Sequence, residues 1–165
     1  SRGQAWGIYG SALSYRFLKE DRYLTIFRKL TEFFLEHLPQ DLIPYWDFDF
    51  DDGSEEPRDS SAAAIAACGM LEMARHLKGE EREYYEAMAG RLLKALCTHC
   101  AVTENSVSNG LLLHGTYARA SRENPCTDRG VDECNTWGDY FYMEALTRFT
   151  SDWEAYWDYW EREHE

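Results

Sequence analysis

Two kinds of helical segment alternate along this sequence, and the alternation restricts the folds open to it. Residues 4–18 place Ala5, Trp6, Ile8, Tyr9, Ala12, Leu13, Tyr15, Phe17 and Leu18 around nearly every side of a helix, with little but small residues between them. A helix of that kind is buried on more than one face. From Asp21, read as an N-cap, Tyr23, Phe27, Leu30, Phe34 and Leu38 recur at helical spacing, with Arg28, Lys29, Glu32 and Glu36 between them and Pro39 after the last turn. This is a helix with one buried stripe and a wet outer face. A second all-round segment starts at Ser61, capped by Asp59 or Ser60, with Ala62, Ile65, Ala66, Gly69, Met70, Met73 and Leu77 apolar and its end at Gly79. Glu80 and Glu81 suit the positive end of the next helix, where Tyr85, Met88, Ala89, Leu92 and Leu96 again form a single stripe. A third inner helix is predicted at Trp137–Phe149, followed by an aromatic segment with Trp153, Tyr156, Trp157 and Trp160 and a solvated charged run from Glu161 to Glu165.

Inner helices starting near residues 4, 60 and 137, each paired with an outer one, predict stacked helical hairpins. An inner ring inside an outer ring is a toroid, and roughly three hairpins alone leave an open apolar edge. A homodimer would be one way to cover it. No strand of convincing period two occurs. Asp41 to Arg58 reads as a loop, with Pro44, Gly53, Pro57, Asp47, Asp49, Asp51, Asp52 and Glu55; a polar stretch from Thr103 to Thr136 surrounds the short run Leu111 to Leu113. The 165 residues, 44% of them apolar, suit one soluble domain, and no run approaches the ~20 apolar residues of a membrane span. The chain opens on Ser1 rather than Met, directly into an amphipathic segment, which reads as a piece of something longer. A net charge of −13 opposes binding to nucleic acid or to anionic membranes. Five Cys without a secretory leader suit a reducing, cytoplasmic compartment.

The loops entering the inner helices carry the residues capable of chemistry: Arg2, Gln4 and Trp6; Tyr45, Trp46, Asp47, Asp49, Arg58 and Asp59; Asp132, Glu133, Asn135, Trp137, Asp139 and Tyr140. All are expected at one end of the ring. Aromatic faces, carboxylates and guanidinium forks in one cleft match a sugar, and above all a sugar acid. The same residues also admit a purely structural reading, with Asp59 and Asn135 as helix caps and the Trp residues as core. Cys97-Thr98-His99-Cys100 could hold zinc only with two more ligands, such as Cys126 and Cys134, at a spacing that matches no common zinc module. No metal or cofactor is therefore expected. His114 reads as an interior histidine or as a substrate contact.

Five ordered blocks carry a resemblance: Arg2-Gly-Gln-Ala-Trp-Gly-Ile-Tyr-Gly, Pro44-Tyr-Trp-Asp-Phe-Asp, Arg58-Asp-Ser-Ser-Ala-Ala-Ala-Ile-Ala-Ala, Leu111-Leu-Leu-His-Gly, and Gly130-Val-Asp-Glu-Cys with Trp137-Gly-Asp-Tyr-Phe-Tyr-Met-Glu-Ala-Leu. Together they resemble the unsaturated glucuronyl hydrolases, glycoside hydrolase family 88, more than the related unsaturated rhamnogalacturonyl hydrolases. The resemblance implies an all-α (α/α)6 barrel, of which residues 1–165 would be the C-terminal half of a single catalytic domain. It also implies a reaction in which a carboxylic acid protonates C4 of a 4,5-unsaturated uronic acid at the nonreducing end of an oligosaccharide. Water adds at C5, and the resulting hemiketal releases the next sugar.

By the same resemblance the two essential Asp residues lie upstream, so no residue of this chain is expected to be the catalytic acid and the chain alone should be inactive. Arg2 and Trp6 should hold the uronate by charge and stacking. Gln4, Asp59 and Asn135 are the further candidates for substrate binding. An anionic substrate can approach an acidic chain because distant charges are screened over about 8 Å at physiological salt. A noncatalytic helical module that binds carbohydrate is the alternative reading.

Overall fold

The computed structural model describes residues 1–104, 108–122 and 124–152, which form five helices: α1 (Arg2–Leu18), α2 (Asp21–Glu36), α3 (Ser60–Ala74), α4 (Gly79–His99) and α5 (Thr136–Thr150). The helix α3 lies at the centre, with α1 and α5 against its flanks, while α2 covers α1 and α4 covers α3. Two inner–outer pairs and the inner helix of a third follow one another. The residues expected to form an aromatic and charged C-terminus, Trp153 to Glu165, lie outside the described residues.

The central position of α3 follows from its composition. All of its residues are buried, and the run Ala62-Ala-Ala-Ile-Ala-Ala-Cys-Gly supplies a surface small enough for helices to approach on several sides at once. Gly69 marks the tightest approach: a Cβ built there would sit 2.9 Å from both the Tyr9 nitrogen and its Cα. The outer helices behave as their single stripes require. Phe27 and Phe34 of α2, and Tyr85, Ala89, Leu92 and Leu96 of α4, enter the core while the charged residues between them face water.

Two boundaries differ from the sequence reading, as does the placement of His114. Glu20, rather than Asp21, occupies the N-cap of α2. The helix α3 ends at Ala74 instead of reaching Gly79. There the chain tightens into a turn in which His76 N–H donates to Met73 O and Leu77 N–H to Ala74 O, and the turn folds Leu77 back into the core. Gly79, at φ 60°, then permits the reversal into α4. His114 is not interior: its side chain is 42% exposed and pairs with Asp132 at 2.6 Å, on a backbone with φ 63°.

Apolar side chains stay exposed on the two inner helices that flank α3. Trp6 and Phe17 of α1 and Met143 and Phe149 of α5 are between 40% and 51% exposed. Among the described residues no helix is long and apolar enough to cross a membrane.

Candidate functional site

The N-terminal ends of α1, α3 and α5 meet at one end of the molecule, and the connections 37–59 and 100–135 gather around them. Short two-residue pairings brace these connections: Tyr45 with Arg58, Ala101 with Leu112, and Gly115 with Glu133. The Arg58 guanidinium is held between Asp41, at 2.9 Å, and the Ile43 carbonyl, and lies over the Tyr45 ring. Asp139 accepts the N–H groups of Leu111 and Leu112 at 3.0 and 2.9 Å, which fastens the apolar run to the first turn of α5. Trp46 donates its indole N–H to Glu56, and that carboxylate also receives Arg119. Both hydrogen bonds hold the Glu56 carboxyl below its usual range.

Arg2 stands at the centre of the cluster. Its Nη1 donates to Asp59 Oδ2 at 3.1 Å and to the Thr116 carbonyl at 2.5 Å, its Nη2 donates to the Tyr117 carbonyl at 2.6 Å, and its guanidinium lies 5.2 Å from the centre of the Trp137 ring. Trp6, one turn further along α1, presents a face 40% exposed and meets Phe141 edge-on at 5.0 Å.

The remaining sequence candidates are placed differently. Gln4 turns away from the cluster and donates to Leu30 O of α2 at 2.9 Å, tying an inner helix to its outer partner. Asp59 is 2% exposed, with its carboxylate engaged by Arg2, Ser61 and the Thr116 amide. Burial pushes its carboxyl above the ordinary aspartate value, against the pull of Ser61, Arg2 and Thr116. Asn135 caps α5, its Oδ1 receiving the Gly138 N–H at 2.7 Å. Cys97 lies 3.0 Å from the Tyr142 hydroxyl and Cys134 lies 3.1 Å from Ser108. Among the described residues no three His, Cys, Asp or Glu side chains gather in a way that could hold a metal ion.

Two hollows open at this end. One, of about 370 Å³, is lined by Tyr117, Gly130, Glu133, Cys134, Asn135 and Trp137. The other, of about 230 Å³, has Arg2, Trp46, Asp59, Tyr117 and Arg119 among its walls. A larger groove of about 600 Å³ runs between α2 and α4 on the outer side, walled by residues such as Arg28, Thr31, Leu35 and Met88. It also carries Tyr84, Tyr85 and Arg91, and lies away from Arg2, Trp6 and Trp137.

A patch the sequence reading missed lies further along the same three helices. Glu72, with no exposed side-chain surface, accepts Arg148 at 2.5 Å, Arg16 at 3.5 Å and His76 at 3.2 Å. Glu144 accepts Arg148 at 2.8 Å and the Tyr9 hydroxyl at 2.7 Å. Lys19 can only donate to His76 Nδ1, so the imidazole presents Nε2–H to Glu72. Glu72 in an alanine-rich run was the available signal, since a carboxylate there demands partners.

No family model matches the chain, but individual proteins do. It is 48% identical over 159 residues to the unsaturated chondroitin disaccharide hydrolase of Streptococcus pyogenes, a match covering 95% of this chain and 38% of that protein. It is 36% identical over 159 residues to the unsaturated glucuronyl hydrolase of Bacillus sp. strain GL1, covering 95% of this chain and 41% of that protein. Its structure superposes with a TM-score of 0.84 and 46% identity on a variant unsaturated glucuronyl hydrolase from Streptococcus agalactiae complexed with dGlcA-GalNAc6S, over 94% of this chain and 40% of that one. Fold and neighbours together give this chain, over the stretch it spans, the α/α-toroid architecture of those enzymes. More narrowly, over the stretch it spans, its similarity is to the unsaturated glucuronyl hydrolases. The chain spans about two fifths of the length of the curated relatives it matches.

Proposed function

We propose that this chain forms the sugar-acid-holding part of a hydrolase that acts on oligosaccharides ending in a 4,5-unsaturated uronic acid. The observation that carries this reading is the Arg2–Trp6 pair. A guanidinium that keeps unused N–H donors and an indole with an open face stand one helical turn apart at the loop end of the fold. The guanidinium answers the carboxylate and the indole answers the flat unsaturated ring. A relative of the same fold complexed with an unsaturated disaccharide supports the choice of ligand.

The chemistry then divides between this chain and sequence outside it. Protonating C4 of the vinyl ether needs a carboxylic acid within hydrogen-bond reach of that carbon, with a pKa raised toward neutrality. Asp59 cannot reach it, because its carboxylate is buried and engaged by three protein groups. Asp139 is engaged by the backbone of Leu111 and Leu112. The resemblance implies that the acid is supplied by sequence outside this chain, whose helices would complete the ring.

The test is to offer an unsaturated uronate disaccharide to this chain alone and to the complete protein encoded around it, following loss of the conjugated uronate's ultraviolet absorbance. Turnover by the complete protein, with binding but no turnover by this chain, is the expected result. Robust turnover by this chain alone would overturn the division of labour, and failure of both to bind or turn over the disaccharide would overturn the substrate class.

A further inference from the structure

We infer that Asp59 is a positioning residue: it holds the Arg2 guanidinium by one edge and, through Ser61, sets the Trp137 indole on which that guanidinium rests. The inference rests on the reading of Arg2 as the uronate anchor and adds to it the group that aims the anchor.

The position of Asp59 would ordinarily assign it another task. It is the N-cap residue of α3, where an aspartate side chain normally accepts an N–H from the first turn. Its side chain makes no such bond. The free Ser60 N–H is taken instead by the His114 carbonyl at 2.9 Å, so the loop caps the helix and the carboxylate is released for other partners. Oδ2 faces Arg2 at 3.1 Å; Oδ1 accepts the Ser61 hydroxyl at 2.5 Å and the Thr116 N–H at 3.4 Å. The Ser61 hydroxyl in turn accepts the Trp137 indole N–H at 3.2 Å. Thr116 is itself pinned, its hydroxyl donating to Arg58 O at 2.8 Å.

These bonds close a circuit through α1, α3, α5 and the loop at 114–117. Arg2 has five N–H donors. Both Nη1 donors and one Nη2 donor are used by Asp59, Thr116 O and Tyr117 O, which leaves Nε–H and one Nη2–H without a partner among the described residues. Unused guanidinium donors are what a carboxylate needs for charge-assisted recognition. A long flexible side chain on a helix end would otherwise sample many rotamers, and fixing it in advance removes that cost from binding. Neither Asn nor Ala can replace Asp59 here, since only the carboxylate accepts from Arg2, Ser61 and Thr116 together without donating.

The experiment uses the complete protein and ¹⁵N NMR of the Arg2 guanidinium and the Trp137 indole, assigned with Arg2→Lys and Trp137→Phe. In the wild type, Arg2 should give resolved, slowly rotating guanidinium signals; Asp59→Asn should collapse them and shift the Trp137 indole N–H. Ser61→Ala, which leaves Asp59 in place, should shift only the indole. Affinity for an unsaturated uronate disaccharide should fall about tenfold in Asp59→Asn, and Asp59→Asn should add nothing in an Arg2→Lys background. Unchanged Arg2 signals in Asp59→Asn, or an equal loss of affinity in both backgrounds, would overturn the inference. Absence of disaccharide binding by the wild type would overturn the uronate reading instead, and the NMR signals would still decide whether Asp59 orders Arg2.

Discussion

Arg148 of α5 and Glu72 of α3 form an ion pair of 2.5 Å with almost no exposed side-chain surface, 2% and none respectively. Such a pair gains little over an apolar pair of the same shape, but it is costly to break by halves. Arg148→Ala would leave the carboxylates of Glu72 and Glu144 without their main counter-charge. A loss of about 3–5 kcal/mol is expected, read as a lower urea midpoint. A loss under about 1 kcal/mol, within the range of an exposed pair, would show that water reaches the network.

Glu72 gives this network a defined pH response. Burial pushes its carboxyl up, yet the His76 hydrogen bond and the charges of Arg148 and Arg16 outweigh it, holding the group at about 2 instead of 4.5. The folded state thus binds fewer protons than the unfolded chain between those values. The stabilisation is complete above the ordinary glutamate range and disappears as pH falls toward 2. Urea midpoints measured from pH 6 downward should decline across this window in the wild type and decline less in Glu72→Gln.

Gly69 tests the closeness of α1 and α3. An added Cβ would meet the Tyr9 backbone and Ile8 Cγ2 at 2.9 Å, and backbone cannot swing aside. Gly69→Ala should cost about 1–3 kcal/mol through overpacking. Gly10→Ala, with nothing within 4 Å of the new methyl group, should be neutral or stabilise by up to about 1 kcal/mol. Thermal denaturation of the two variants distinguishes them, and equal effects would refute the close contact.

Asn135 caps α5 through Oδ1 while its Nδ2 is buried without a partner among the described residues. Asn135→Ala should cost about 1 kcal/mol. Asn135→Ser keeps an acceptor and removes the orphan donor, so it should stay within a few tenths of the wild type. A direct role in holding sugar would appear as weaker disaccharide binding in Asn135→Ser despite unchanged stability.

In the complete, active protein, Arg2→Lys keeps the charge and loses the planar fork, so KM for the unsaturated disaccharide should rise about tenfold. Trp6→Ala removes the exposed indole face and should also raise KM. Changes confined to stability, with KM unmoved in both variants, would refute the uronate-holding role of this pair.

What could be read directly was whatever depends on near neighbours in the chain. The all-round apolarity of Ala62 to Met73 made α3 an inner helix, and the stripes through Phe27 and Leu92 made α2 and α4 outer ones, because helical periodicity and burial are local patterns. The ordered blocks at Arg2, Pro44, Arg58, Leu111 and Gly130 pointed to the family for the same reason. Partner choice was not local. Gln4 looked like a site residue by proximity to Arg2, but helix rotation turns it to Leu30. Asp59 looked like a cap or a sugar contact, and its partners Arg2, Ser61 and Thr116 come from three segments that meet only after packing. The pairing of Glu72 and Arg148 is decided in the same way. Hydrogen bonds and charges are satisfied by whatever the fold brings within about 3 Å, and sequence spacing does not encode that distance.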